Sequence, residues 1–149
     1  KSVSRGLGDV YKRQLFDLIN NNVLEQRQTF FVHGGVGAED REKVREITEN
    51  EKNAIIVASY GTFSTGINIR NLHNIIFASP SKSRIRNLQS IGRVLRKGTN
   101  KVKATLYDIA DDATYKSRRN YTLNHLIERL KIYNYEKFNY DIINISFKK

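Results

Sequence analysis

The chain has 149 residues, 39% of them hydrophobic, with 26 Lys and Arg against 15 Asp and Glu, a formal net charge of +11. That size suits one domain or a piece of something larger, and the apolar content excludes a wholly disordered chain. The lack of cysteine excludes disulfides, thiol catalysis and thiolate metal sites, His33, His73 and His125 have no ligand spacing, and no apolar run reaches the ~18–20 residues of a membrane span.

The first fourteen residues read as foreign to the rest. Asp9–Gln14, Asp-Val-Tyr-Lys-Arg-Gln, is one translation of GATGTGTATAAGAGACAG and resembles a transposon end used to prepare sequencing libraries. Residues 1–14 are therefore expected to be non-native, with the fragment proper beginning near Leu15. The alternative is a genuine basic arm. Without Lys1, Arg5, Asp9, Lys12 and Arg13 the chain is still strongly basic. The N-terminus shows no continuous apolar run of the kind a signal peptide needs.

Leu15–Asn21 carries Leu15, Phe16, Leu18 and Ile19, a helix-like cluster closed by consecutive asparagines. Thr29–Val32 is a short β-rich run, broken by His33-Gly34-Gly35. Ala38–Asn50 predicts a charged helix with Val44 and Ile47 inward. Ala54–Ala58 and Asn74–Ala78 are continuous apolar runs, as expected of strands buried on both faces. Pro80 closes the second and starts a loop. Ser83–Leu95 predicts a helix with Ile85, Leu88, Ile91 and Leu95 at spacings of three or four, and Val102–Ile109 a further strand. Strands alternating with helices predict an α/β fold with a parallel sheet, functional groups gathering beyond the carboxyl ends of its strands. Tyr121–Tyr135 predicts a long helix and Phe138–Phe147 an extended segment. The domains are thus 15–114, followed by a C-terminal helical extension over 115–149. Asp111-Asp112 reads as a structural acidic turn.

A pI of about 9.9 favours a polyanionic partner, most often nucleic acid. The charge concentrates between Lys82 and Lys103, where Lys82, Arg84, Arg86, Arg93, Arg96, Lys97, Lys101 and Lys103 occur without one Asp or Glu, so local ion-pair partners are missing. Two loops follow predicted strands. Ser59–Asn68 is rich in Ser, Thr and Gly, with hydroxyls to donate and glycines that let backbone amides approach a phosphate. Gln89-Ser90-Ile91-Gly92-Arg93-Val94-Leu95-Arg96 places Gln89, Arg93 and Arg96 on one helical face. Planar guanidinium groups contact two phosphate oxygens at once and stabilise a phosphoryl transition state.

Ser64-Thr65-Gly66-Ile67-Asn68 followed by Gln89–Arg96 resembles motifs V and VI of superfamily 2 helicases. Phe31-Val32-His33-Gly34, with Arg41 opening the next helix, is similar to the strand and turn after motif IV, and Ile55–Lys97 with Tyr121–Tyr140 resembles phage UvsW-type recombination helicases. The resemblance implies a RecA-like lobe 2, truncated at its first strand and extended by the C-terminal helix and extended segment. It implies that Arg93 and Arg96 reach a triphosphate held by a separate N-terminal RecA-like lobe, with Arg96 as arginine finger. Gln89 would sense the γ-phosphate or its attacking water, and Gly66 and Asn68 would lie near the ribose. Ser64 and Thr65 would touch the nucleic-acid backbone, with His33 and Gly34 in a loop facing the strand.

The implied cofactor is ATP with Mg²⁺, bound mainly by the separate lobe. The partners are DNA, single-stranded or branched, or RNA, in the cytoplasm of a bacterial or phage-infected cell. The sequence holds no G-x-x-x-x-G-K-[ST] loop and no Asp-Glu box, so the chain by itself is expected not to hydrolyse ATP. The alternative is a stand-alone basic nucleic-acid-binding module without an ATPase role.

Overall fold

The computed structural model describes residues 3–23, 27–51, 53–62, 69–79, 83–94 and 103–146, with side chains from Val10 onward except at 85, 86, 93 and 94. Pro80, the loop residues 63–68, Leu95–Val102 and Phe147 lie outside the described residues. The elements are α1 (Val3–Asn22), β1 (Thr29–Val32), α2 (Ala38–Asn50), β2 (Ile55–Ala58), β3 (Asn74–Phe77), α3 (Arg84–Val94), β4 (Thr105–Asp108) and α4 (Tyr121–Tyr135). No described helix is long and apolar enough to cross a membrane. The chain falls into two compact units, one of Lys1–Ile75 with Leu88–Leu106 and one of Ile76–Asn87 with Tyr107–Lys149.

In the first unit β1 and β2 pair in parallel, with Thr29 opposite Ile55 and Val32 opposite Ala58. Parallel neighbours need a crossover, and α2 supplies it. Glu39 and Asp40 stand in the first turn of α2, where carboxylates oppose the positive end of the helix dipole. Val32 and Ile69 are the buried centre of a cluster completed by Phe30, Val36, Val44, Ile56, Ala58 and Leu72. Val44 faces inward as its spacing predicts, but Ile47 is exposed and Thr48 is buried instead. Residues four apart stack along a helix, so the buried line runs from Val44 to Thr48 and leaves Ile47 at its edge. The Thr48 hydroxyl enters the core because it donates back to Val44 O at 2.7 Å.

Helix α1 is longer than the Leu15–Asn21 cluster predicts, running as one element from Val3. Its Phe16 ring lies 5.6 Å from Phe31 of β1, and the Arg13 guanidinium sits 5.0 Å above the same Phe31 ring. Cation and aromatic contacts thus fasten the helix to the strand.

β3 pairs with β4 as a second two-stranded sheet. Thr105 N donates to His73 O at 2.9 Å and Ile109 N to Phe77 O at 3.3 Å, the same offset at both ends, so this pair is also parallel. The expectation that β3 is buried on both faces is corrected here. Phe77 is buried, whereas Ile76 is 61% exposed and Tyr107 of β4 is 53% exposed. Alternate side chains point to opposite faces, and the described residues cover only the Phe77 side.

In the second unit α4 is fastened to the end of β4 by a buried polar node. Arg129 is fully buried, donating to Asp108 Oδ2 from Nε at 2.7 Å and to Oδ1 from Nη2 at 2.8 Å. The Tyr133 hydroxyl donates to Asp108 Oδ2 at 2.6 Å. Helix α4 ends in a Schellman motif: Phe138 N donates to Tyr133 O at 2.9 Å and Lys137 N to Asn134 O at 3.2 Å. Lys137 holds the left-handed position at φ 56°, and the Tyr133 and Phe138 rings form the accompanying apolar contact.

Candidate nucleotide and nucleic-acid interface

β1 and β2 end in register at Val32 and Ala58, so their parallel pairing brings the His33-Gly34 loop and the loop beginning at Ser59 to one sheet edge. The carboxyl end of a parallel pair is where an α/β sheet offers backbone amides and loop side chains to a ligand. His33 Nδ1 accepts from Gly35 N at 3.1 Å, which puts the proton of a neutral ring on Nε2. Its ring lies 5.2 Å from Phe31, and Val36 N donates to His33 O at 3.1 Å to close the turn. A Cβ at Gly35 would stand 3.0 Å from the His33 ring, so glycine there lets the imidazole fold back over the turn. Gly34 is exposed with open space around its Cα.

In the second loop Ser59 caps a helical turn at residues 60–62. Thr62 N donates to Ser59 Oγ at 3.2 Å, and the two hydroxyls lie 2.8 Å apart. These hydroxyls therefore build the turn. The candidate contacts Ser64, Thr65, Gly66 and Asn68 lie outside the described residues.

Helix α3 separates its faces as the spacing requires. Asn87, Ser90 and Ile91 are buried, while Gln89 and Gly92 are exposed on the other side. A Cβ at Gly92 would meet nothing within 4 Å, so the missing side chain leaves an open flat on this face. Arg93 follows within the same helix, one turn beyond Gln89, its side chain being outside the description. Arg96 lies outside the described residues altogether. The helix carries no acid in its first turn. One of its cations finds a partner remote in sequence. Arg84 donates to Glu136 at 3.1 Å and stacks 4.5 Å over the Tyr135 ring, and the hydrogen bonds to Glu136 and Tyr135 raise its pKa further. A shallow cavity of about 330 Å³ lies there, lined by Arg84, Glu128, Lys131, Ile132 and Tyr135.

The Asp111-Asp112 turn is held from both sides. Asn120 Nδ2 and Thr122 Oγ1 each donate to Asp111 O at 2.9 Å, and Thr114 N donates to Asp112 Oδ1 at 3.0 Å. The Thr114 hydroxyl and amide hold the Asp112 carboxyl below the usual range. Among the described residues no group of three His, Asp or Glu is placed to hold a metal ion. The donor set on α3 is amide and cation, which suits phosphate oxygens.

Sequence reasoning missed the Asp108–Arg129–Tyr133 node. Arg129 is spaced with Ile132 and Tyr133 on the buried face of α4, and that was the available signal.

The family described as helicase conserved C-terminal domain matches residues 10–98. The chain is 43% identical over 150 residues to the ATP-dependent DNA helicase uvsW of Enterobacteria phage T4, an alignment covering 94% of this chain and 28% of that protein. It is 31% identical over 127 residues to the putative ATP-dependent RNA helicase L396 of Acanthamoeba polyphaga mimivirus, covering 83% of this chain and 22% of that one. The chain thus spans less than a third of either relative. Its fold is similar to the crystal structure of the C-terminal part of the Fun30 ATPase domain, with a TM-score of 0.57 and 16% identity over 81% of this chain and 44% of that chain.

Proposed function

The chain belongs to the helicase conserved C-terminal domain family, as a superfamily 2 lobe 2 related to phage UvsW-type helicases, and from that premise we propose that it is the C-terminal motor lobe of an ATP-dependent helicase or translocase. The carrying observation is the divided face of α3, with Gln89 and Gly92 exposed opposite buried Asn87, Ser90 and Ile91, in a stretch without acids. In the sequence Arg93 and Arg96 follow Gln89 at spacings of four and three. In the complete enzyme ATP and Mg²⁺ are held by an N-terminal RecA-like lobe. The bound nucleotide would supply the γ-phosphoryl group for transfer to water, with ADP as leaving group and inorganic phosphate as the other product. This chain's part is to place the Arg93 and Arg96 guanidinium groups against the charge of the transferring phosphoryl group and Gln89 against the γ-phosphate or the water. Gly66 and Asn68 are assigned to the ribose, and Ser64, Thr65, His33 and Gly34 to the nucleic-acid backbone. Such contacts read no sequence and weaken steeply with salt.

Within this reading the substrate is DNA, single-stranded or branched, and the task is unwinding, branch migration or fork remodelling in the cytoplasm of a bacterial or phage-infected cell. Support comes from the 43% identity to a DNA helicase. The 31% identity to a putative RNA helicase keeps RNA as the second substrate to assay. The motor lobe is assigned to 15–114 and its extension to 115–149, while the family match begins at residue 10, inside the stretch expected to be non-native. Sequencing the source DNA across the Leu15 codon tests that division.

The decisive experiment restores the complete protein. Arg96→Ala is expected to lower strand-stimulated ATP hydrolysis by about 10³-fold or more, the usual effect of an arginine finger, while strand binding survives. If the restored protein hydrolyses no ATP, the alternative stands, a basic binding module favoured only by the +11 charge.

A further inference from the structure

Lys116, Arg118, Arg119, Arg129 and Lys131 follow β4 in one basic stretch. The structure divides them. Arg129 is buried on Asp108, and Lys131 donates to Glu128 at 2.7 Å. Lys116, Arg118 and Arg119 are exposed, and none of their side chains is ion-paired with a carboxylate among the described residues. They belong to a tight hairpin: Tyr115 N donates to Arg118 O at 3.1 Å and Arg118 N to Tyr115 O at 3.0 Å. Lys116 holds φ 55° at its first turn position, with Nζ 5.5 Å over the Tyr115 ring. Tyr115 is 73% exposed and Tyr121, just beyond the hairpin, is 83% exposed.

Two largely exposed aromatic rings thus stand beside Lys116, Arg118 and Arg119, with Lys116 over the Tyr115 ring and the Arg119 charge felt by the Asp112 carboxyl, a pairing of rings and cations that suits bases and phosphates. The mount is firm. Asn120 ties both limbs, donating to Asp111 O and accepting from Ala113 N at 3.2 Å. Beneath it α4 is fastened to β4 through Asp108 and Arg129. The acids Asp111 and Asp112 sit at the base, with the Asp112 carboxylate engaged by Thr114, while the cations occupy the tip and return limb.

We propose that residues 115–121 form a nucleic-acid-binding tip, in which the Tyr115 and Tyr121 rings stack on unpaired bases while Lys116, Arg118 and Arg119 hold the flanking phosphates. The proposal rests on the reading of the chain as a helicase lobe and adds a strand contact outside the motif loops. Every base has a π-face, so such a tip grips single-stranded nucleic acid without reading its sequence. Because the hairpin is ordered before binding, little entropy is lost on contact.

The test uses the 149-residue chain with single-stranded oligothymidylate, and with the same strand carrying 5-iodouracil for photo-crosslinking. Crosslinks are expected on peptides containing Tyr115 or Tyr121. Tyr115→Ala and Tyr121→Ala should each weaken binding about tenfold, whereas Tyr115→Phe and Tyr121→Phe retain it, because stacking needs the ring and not the hydroxyl. Replacing Lys116, Arg118 and Arg119 together by alanine should reduce the slope of log affinity against log salt by about two. Far-UV circular dichroism checks that each variant is folded. Crosslinks confined to other segments, with alanine variants binding like the wild type, overturn the tip and leave the helicase reading standing. A wild-type chain that binds no strand at low salt overturns both.

Discussion

The Asp108–Arg129–Tyr133 node carries a sharp energetic prediction. Arg129 is wholly buried and Asp108 is 11% exposed, so Arg129→Met strands a carboxylate with little access to water. Removing one member of a buried pair costs roughly 3–5 kcal/mol. The lower end applies here, because Tyr133 still donates to Asp108 Oδ2 at 2.6 Å and because Nη1 of Arg129 has no hydrogen-bond partner among the described residues, so the native pair is itself imperfect. A loss of about 3 kcal/mol is a large share of the ~5–15 kcal/mol that holds a typical domain. The assay is urea unfolding followed by far-UV circular dichroism. Asp108→Asn combined with Arg129→Met removes both charges and keeps an acceptor for Tyr133, so the double variant should lose less than Arg129→Met alone. A single variant within about 1 kcal/mol of wild type, or a double variant whose loss equals the sum of the singles, refutes the argument that an uncompensated buried charge sets the cost.

Tyr133 is predicted to make the fold sensitive to alkali. Burial, with the Asp108 hydrogen bond next, pushes its pKa far up, so the folded state keeps the proton where the unfolded chain releases it. Its contribution is complete below pH ~10 and falls by up to about 1.4 kcal/mol per pH unit above it, a loss that Tyr133→Phe should abolish in denaturant titrations across that range. Gly92→Ala meets open space and should stabilise α3 by up to ~1 kcal/mol, read as a higher unfolding midpoint. In the complete enzyme the same change should lower ATPase activity if another surface must approach that flat, and unaltered turnover would remove Gly92 from the interface. Lys116→Gly relieves a left-handed lysine and should raise hairpin stability by roughly 1 kcal/mol while weakening strand binding. Parallel gains in both would show that the lysine at the turn serves no ligand.

Much of the fold was legible because short-range signals agreed. Thr29–Val32 is strongly β-forming and is cut off by adjacent glycines, and its strand has those bounds. Ala38–Asn50 and Tyr121–Tyr135 are helices over the ranges their periodicity predicts. Departures arose where pairing partners decide. The apolar run at β3 gave no hint that Ile76 would face outward, because which side of a strand is covered depends on elements far along the chain. The length of α1 was missed because residues 1–14 read as foreign, whereas Gly6 and Gly8 weaken helix propensity without forbidding a helix.

For the candidate site, the sequence by itself determined the chemistry: an acid-free basic stretch, and Gln89, Gly92 and Arg93 at helical spacing, since both follow from residue type and the pitch of a helix. Tertiary structure decided which charges are available. Arg84 is paired with Glu136, Arg129 is buried on Asp108, and Lys116, Arg118 and Arg119 stand exposed on a hairpin. These cations look alike in sequence. What separates them is the distance from each guanidinium or ammonium to a carboxylate and to water, and only the folded chain sets those distances.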